Sequence, residues 1–232
     1  MISQRSIFYF SGSELHQNVS ELNTRDSNYN VSMLESRAFA ACVVLNESIL
    51  WITGGLGVNY QGLNSTELVD LNQNRSFESS IKLPNNLQLH CLIKINEKQV
   101  MLVGGLSSNG PEARTYLFDF DTMTWYPGVN LIYPRYGHSC GLFKKGGSAT
   151  AVVVGGSHPD FAFVQKSVEM LNLEMVGHGI GWYHGKLSYQ RGLNKTRLVI
   201  LAGYHLFFWP FFYLQCSHPN VCFMSFGQSV EC

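Results

Sequence analysis

Charge is scarce in this chain. Charged residues fill 14% of its 232 positions, well under the roughly 25% of ordinary soluble domains. Lys and Arg number 16, as do Asp and Glu, so the formal net charge is zero. A dedicated nucleic-acid surface needs a basic excess, and the balance excludes one. Helical periodicity is also missing, since no segment repeats its apolar residues at three- and four-residue spacing. The uncharged run Leu198 to Leu214 covers 17 residues and holds Gly203, His205 and Pro210. A membrane helix needs ~20 residues, so no membrane span is expected. Met1 to Phe10 is too short and mixed to read as a signal peptide. No His-Glu-x-x-His motif occurs, and Cys216, His218 and Cys222 lack the paired spacing of a zinc site. The reading is of a chain that is not an enzyme and has no cofactor and no metal.

What the chain does have is β-structure with a period. Glycine occurs 22 times and aromatics make up 13%, a composition suited to strands joined by tight turns. Val100 to Val103, ending in Gly104-Gly105, reads as a buried strand stopping at a turn, and Thr115 to Phe120 as the next strand. The same order recurs at Gly54-Gly55 and Gly155-Gly156, with the second glycines 50 and 51 residues apart. A weaker copy ends at Gly203 and a degenerate one at Gly12. Strands follow at Thr66 to Leu71 and Val168 to Leu173, then an aromatic: Phe77, Trp125 and Trp182. Cys42, Cys91 and Cys140 keep a 49-residue beat and read as matching inner-strand positions. They are small buried hydrophobes on one reading; on the other, neighbours among them pair, but all three cannot. Val152 to Val154 is continuously apolar, as a strand buried on both faces would be. His90 and His138, beside the cysteines, read as packed, hydrogen-bonded side chains. A period of about 50 residues with roughly four strands per unit signals a propeller.

The order strand, Gly-Gly, strand, aromatic, with Arg37 and Arg135 opening the preceding strands, resembles the kelch repeat. The resemblance covers roughly residues 8 to 204 and implies an all-β, partial kelch-type β-propeller. Its blades are four-stranded antiparallel sheets. Three full blades fall near 37–83, 89–131 and 138–187, with incomplete blades at 1–33 and 188–204. Residues 205–232 form an apolar, cysteine-containing tail outside the pattern. With so few blades the ring is expected to stay open and to self-associate through its uncovered ends.

The function expected is protein binding, because propeller loops carry function while the blades carry the fold. The kelch resemblance places the loops between blades and those after Gly-Gly on one face. That face would carry Arg37, Arg135, Tyr136 and Arg191 from the first set, and Asn59, Tyr60, Asn109 and His158 from the second. Arginines and tyrosines at a pocket mouth suit acidic or polar protein segments. The competing reading has Arg37 and Arg135 locking adjacent blades through backbone hydrogen bonds. Two other classes stay open. A ubiquitin-ligase kelch adaptor would carry a helical dimerisation domain, and no such segment is visible here. A kelch-type copper sugar oxidase would need a tyrosine–cysteine–histidine copper site, which these positions do not assemble. Six Asn-x-Ser/Thr sequons, at Asn18, Asn30, Asn46, Asn64, Asn74 and Asn194, exceed the roughly two that chance gives. They favour a secreted chain over a cytoplasmic one.

Overall fold

The computed structural model describes residues 7–10, 18–22, 30–145, 147–157, 167–178, 181–185, 212–218 and 221–226. Three short strands come first: β1 (Ile7–Phe10), β2 (Asn18–Leu22) and β3 (Asn30–Ser32). Blade 1 follows as β4 (Ala41–Val44), β5 (Ile49–Thr53), β6 (Thr66–Asp70) and β7 (Arg75–Glu78). Blade 2 is β8 (Cys91–Asn96) and β9 (Gln99–Val103), a small hairpin of β10 (Leu106–Ser107) and β11 (Gly110–Pro111), then β12 (Thr115–Asp119) and β13 (Thr124–Pro127). Blade 3 is β14 (Ser139–Lys145), β15 (Ser148–Val154), β16 (Val168–Asn172) and β17 (Tyr183–Gly185), with a 3-10 turn at Leu173–His178. Each blade is a four-stranded antiparallel meander in chain order, β10 and β11 standing apart as a two-stranded sheet. The molecule is nearly all β, a partial β-propeller as the repeat pattern implies.

Alternation along each strand decides which neighbour a side chain meets. From blade 1, Ala41, Val43 and Trp51 face blade 2 and pack on Leu92, Val100, Leu102 and Phe118. Trp51 stacks on Trp125 at 6.0 Å between ring centroids and tilts against Phe118 at 5.3 Å. Intervening residues Leu50 and Ile52 face the other way, onto Val31 and Met33 beside β3. Blade 2 presents Ile93, Met101 and Val103 to Leu142, Ala151, Val153 and Leu171 of blade 3. Here one expectation is corrected. Ala151 and Val153 are fully buried, but Val152 and Val154 are half-buried. They point away from blade 2, and no buried cluster among the described residues includes them.

The cysteine reading is corrected as well. Backbone pairing sets Cys42 opposite Ile52 and Cys140 opposite Val153, but in blade 2 the matching pair is Leu92 with Leu102. Cys91 therefore lies one residue earlier in its strand, and a shift of one turns a side chain to the other face. It faces forward to blade 3, where Cys140 faces back, and the two form a disulfide with Cα atoms 6.2 Å apart. Cys42 faces back toward Val31 and Met33 and is a buried free thiol. Burial pushes it up to about 12.

The tail expected outside the repeat holds strands of its own. Residues 205–232 contain a hairpin, β18 (Phe212–His218) and β19 (Val221–Phe226). It joins the amino-terminal strands in one sheet, ordered β19-β18-β1-β2-β3, with Tyr9 opposite Tyr213. The back end thus adds strands to the incomplete front sheet. An apolar segment with an unpaired edge meets its backbone hydrogen-bonding needs most readily by pairing. The proposed partial blade at 188–204 lies outside the described residues.

Candidate interaction surface

The glycine pairs form the seams between blades. Gly54 and Gly104 take φ of +57° and +55°, where a side chain is strained. A Cβ at Gly54 would lie 2.5 Å from the Leu87 carbonyl oxygen, and one at Gly104 2.8 Å from that of Arg135. Those carbonyls accept from the next glycine, Gly55 N to Leu87 O at 2.8 Å and Gly105 N to Arg135 O at 2.9 Å. Each pair therefore receives the lead-in segment of the following blade. The indoles add a second tie. Trp125 Nε1 donates to Lys82 O at 2.9 Å and Trp182 Nε1 to Val129 O at 2.7 Å. Phe77 has no such donor and instead lies under the Arg75 guanidinium at 4.8 Å.

The two arginines expected at the pocket mouth are interior, with Arg37 3% and Arg135 0% exposed. Arg37 donates through Nη1 to Gly54 O at 2.7 Å and through Nη2 to Glu67 Oε1 at 2.7 Å. Arg135 repeats this with Gly155 O at 2.7 Å and the Glu169 carboxylate. Each buried glutamate also accepts from two backbone amides of the lead-in loop. Glu67 takes Leu34 N and Glu35 N, and Glu169 takes Ile132 N and Tyr133 N. A guanidinium in such a cage is committed. Their side chains lock their own blade, while the Arg135 backbone ties blade 3 to blade 2 through Gly105 N and Glu112 O, as the competing reading held. Burial lowers the Arg135 pKa, with Glu169 opposing.

His90 and His138 occupy the same place in blades 2 and 3, wedged against Gly54 and Gly104 of the preceding blade. His90 Nε2 is hydrogen-bonded to Thr53 Oγ1 at 2.8 Å. At the position matching Thr53, blade 2 has Val103, which offers no hydroxyl. Burial first, then the nearby Arg37 and Arg135, hold both imidazoles down to about 3.

The remaining expected residues divide. Asn59 and Tyr60 stand on the loop after Gly54-Gly55, with Tyr60 77% and its neighbour Val58 67% exposed. That loop is pinned by Tyr60 N to Gly57 O, Gly57 N to Gln61 O, both 2.9 Å, and Gln61 N to Asn59 Oδ1 at 3.2 Å. Asn109 is exposed on the β10–β11 turn, its amide donating to Ser107 Oγ at 3.1 Å. Tyr136 is half-buried and bridges to Ser157. His158 and Arg191 lie outside the described residues. Sequence reasoning missed Ile132 and Tyr133, exposed at 40% and 37% on the loop that Glu169 holds. It also missed Arg114, which donates to Glu112 at 2.7 and 2.8 Å and lowers that carboxyl's pKa. The signal for the buried lock was Glu67 and Glu169, each second in its strand region after an arginine-led loop. No group of three or more metal-ligating side chains occurs among the described residues.

No family model matches the chain. It is 30% identical to Putative adagio-like protein 2 of Oryza sativa subsp. japonica, over 68% of this chain and 28% of that protein. Among solved structures it is similar to YjhT, with a TM-score of 0.61 and 13% identity, covering 78% of this chain and 62% of that one. At that identity the likeness shows the fold, and it is consistent with a kelch-like propeller. The chain spans less than a third of that curated relative's length.

Proposed function

We propose that the chain is a non-catalytic, protein-binding propeller module that engages its partner with the loops after Gly-Gly and between blades. The observation that carries this reading is the loop of Val58, Asn59 and Tyr60. An exposed valine and tyrosine on a backbone already fixed by hydrogen bonds present apolar contact area at low ordering cost. Tyr133, Ile132 and Arg114 add aromatic, aliphatic and cationic groups from the same end of blades 2 and 3, a mixture enriched at hot spots.

The test is capture of partners by the full chain and by two variants. Val58→Ser with Tyr60→Ser removes the pinned tip, while Asn96→Ser with Lys98→Ser alters the opposite end of blade 2. The tip variant should keep its melting temperature within about 0.5 kcal/mol of stability and lose a partner that the second variant retains. Equal capture by all three chains refutes the reading.

A further inference from the structure

We infer that blade 1 is N-glycosylated at Asn46, Asn64 and Asn74, and that blades 2 and 3 are left bare. The three asparagines are exposed. No other sequon lies between Asn74 and Asn194. Asn46 sits in the β4–β5 turn and Asn74 in the β6–β7 turn. Antiparallel pairing places both turns at the end of the blade opposite Gly54-Gly55. Asn64 lies just ahead of β6, at the loop end.

The local geometry suits the chemistry. Asn46 Oδ1 accepts from Ser48 N and Ile49 N, both at 2.9 Å. With the oxygen engaged, the amide nitrogen is the atom left to react. Asn74 has φ +51° on a solvent-facing turn, a conformation asparagine tolerates. In the reaction, Asn Nδ2 bonds to the anomeric carbon of a lipid-linked oligosaccharide pyrophosphate. The bond from that carbon to the pyrophosphate oxygen breaks, the lipid pyrophosphate leaves with the electron pair, and an amide proton is lost. In the folded blade Ser48 Oγ donates within its own sequon, to Asn46 Oδ1 at 3.4 Å, but the other two sequon hydroxyls are used elsewhere. Thr66 Oγ1 donates to Ile81 O at 2.7 Å and Ser76 Oγ to Ser32 O at 2.8 Å. Modification at Asn64 and Asn74 therefore precedes the closing of blade 1.

The disulfide supplies the second, independent observation. Cys91–Cys140 joins adjacent blades, and such bonds persist where the environment oxidises, in the secretory lumen and outside the cell. That is also where the glycosyl transfer occurs. Glycans at Asn46 and Asn74 would cover one end of blade 1 and leave the exposed loops of blades 2 and 3 free.

The full chain, expressed behind a secretory leader in eukaryotic cells, is treated with peptide-N-glycosidase in heavy-oxygen water and mapped by mass spectrometry. Labelled aspartate is expected at positions 46, 64 and 74, with Cys91 and Cys140 blocked to thiol reagents. Asn46→Asp and Asn74→Asp each should remove one glycan increment without changing the melting temperature, since aspartate keeps the turn acceptor and tolerates positive φ. Asn64→Gln should remove the third. A folded, secreted chain with these three positions unlabelled, or with label confined to Asn18, Asn30 or Asn194, overturns the inference.

Discussion

Blades 1 and 3 are built around a buried ion pair, and blade 2 is not. The positions of Arg37 and Glu67, and of Arg135 and Glu169, are taken in blade 2 by Leu87 and Tyr116. Leu87 is 1% exposed, and Tyr116 keeps its hydroxyl in contact with Asn85 at 3.3 Å. The same backbone thus accepts two chemistries at one place. In blades 1 and 3 the glutamate organises the lead-in loop, accepting two amides that would otherwise lack a partner. In blade 2 the apolar leucine joins the core cluster beside Leu83 and Leu92. Both members change together, which fits the physics: one charge of a buried pair cannot be kept alone.

The largest effect should come from breaking that rule. Glu169→Ala strands the Arg135 guanidinium and two amides, and should cost about 3–5 kcal/mol by chemical denaturation. Arg135→Leu with Glu169→Tyr installs blade 2's residues in blade 3 and should recover most of that loss. If the double variant is as unstable as Glu169→Ala, the two solutions are not interchangeable.

The seams can be compared next. The seam between blades 2 and 3 carries the Cys91–Cys140 bond, and the seam between blades 1 and 2 carries the Trp51, Phe118 and Trp125 stack instead. Replacing both bonded cysteines with alanine should cost about 2–4 kcal/mol. A reductant should reproduce the loss in the parent chain and leave the variant unchanged.

Acid should act on both histidines alike, and neutral pH should separate them. Each is held near 3 in the fold against about 6.5 in an unfolded chain. Below pH 6.5 the unfolded state binds protons that the native state refuses, so stability falls as pH falls, down to about 3. The slope is about 1.4 kcal/mol per pH unit for each histidine. His90→Ala and His138→Ala should each remove one share of the slope between pH 6 and 4, measured by urea midpoints. At neutral pH His90→Ala should cost more, because only His90 loses a threonine hydrogen bond. An unchanged pH slope in both variants contradicts the buried, neutral assignment.

The smallest effect concerns the aromatic position. Trp125→Phe converts blade 2 to the residue type of blade 1 and deletes the bond to Lys82 O. About 0.5–1.5 kcal/mol should be lost from that bond, more than for Phe77→Leu, which breaks no hydrogen bond.

Much of this architecture was legible in the chain. The glycine pairs mark the ends of β5, β9 and β15, and at Gly54 and Gly104 only glycine fits beside the incoming carbonyls, so the period could be counted. Trp125 and Trp182 fall where the repeat puts them. The arginines were visible but not their fate, since a guanidinium reads alike in a pocket or a cage and its glutamate lies 30 or more residues on. The cysteine beat concealed a flip, because spacing counts residues and pairing counts faces. The strands of the tail were illegible for lack of a Gly-Gly pair, and their partner β1 stands about 200 positions earlier. Tyr60 was found for its loop; Tyr133 was missed because its exposure depends on Glu169.

That pairing of the two ends has a kinetic meaning. Each of blades 1 to 3 joins strands close in the chain, and such local meanders can form while synthesis is still under way. The sheet of β1 and β18 closes a loop of about 200 residues, which carries a larger ordering cost and comes late. On the ribosome it cannot form until β18 has left the exit tunnel. Until then β1 must wait with an open edge while three blades assemble beside it. Among the pairings of the described residues, this one is the most exposed to capture by the same strand of another chain, which makes the order of emergence as consequential for this fold as its final contacts.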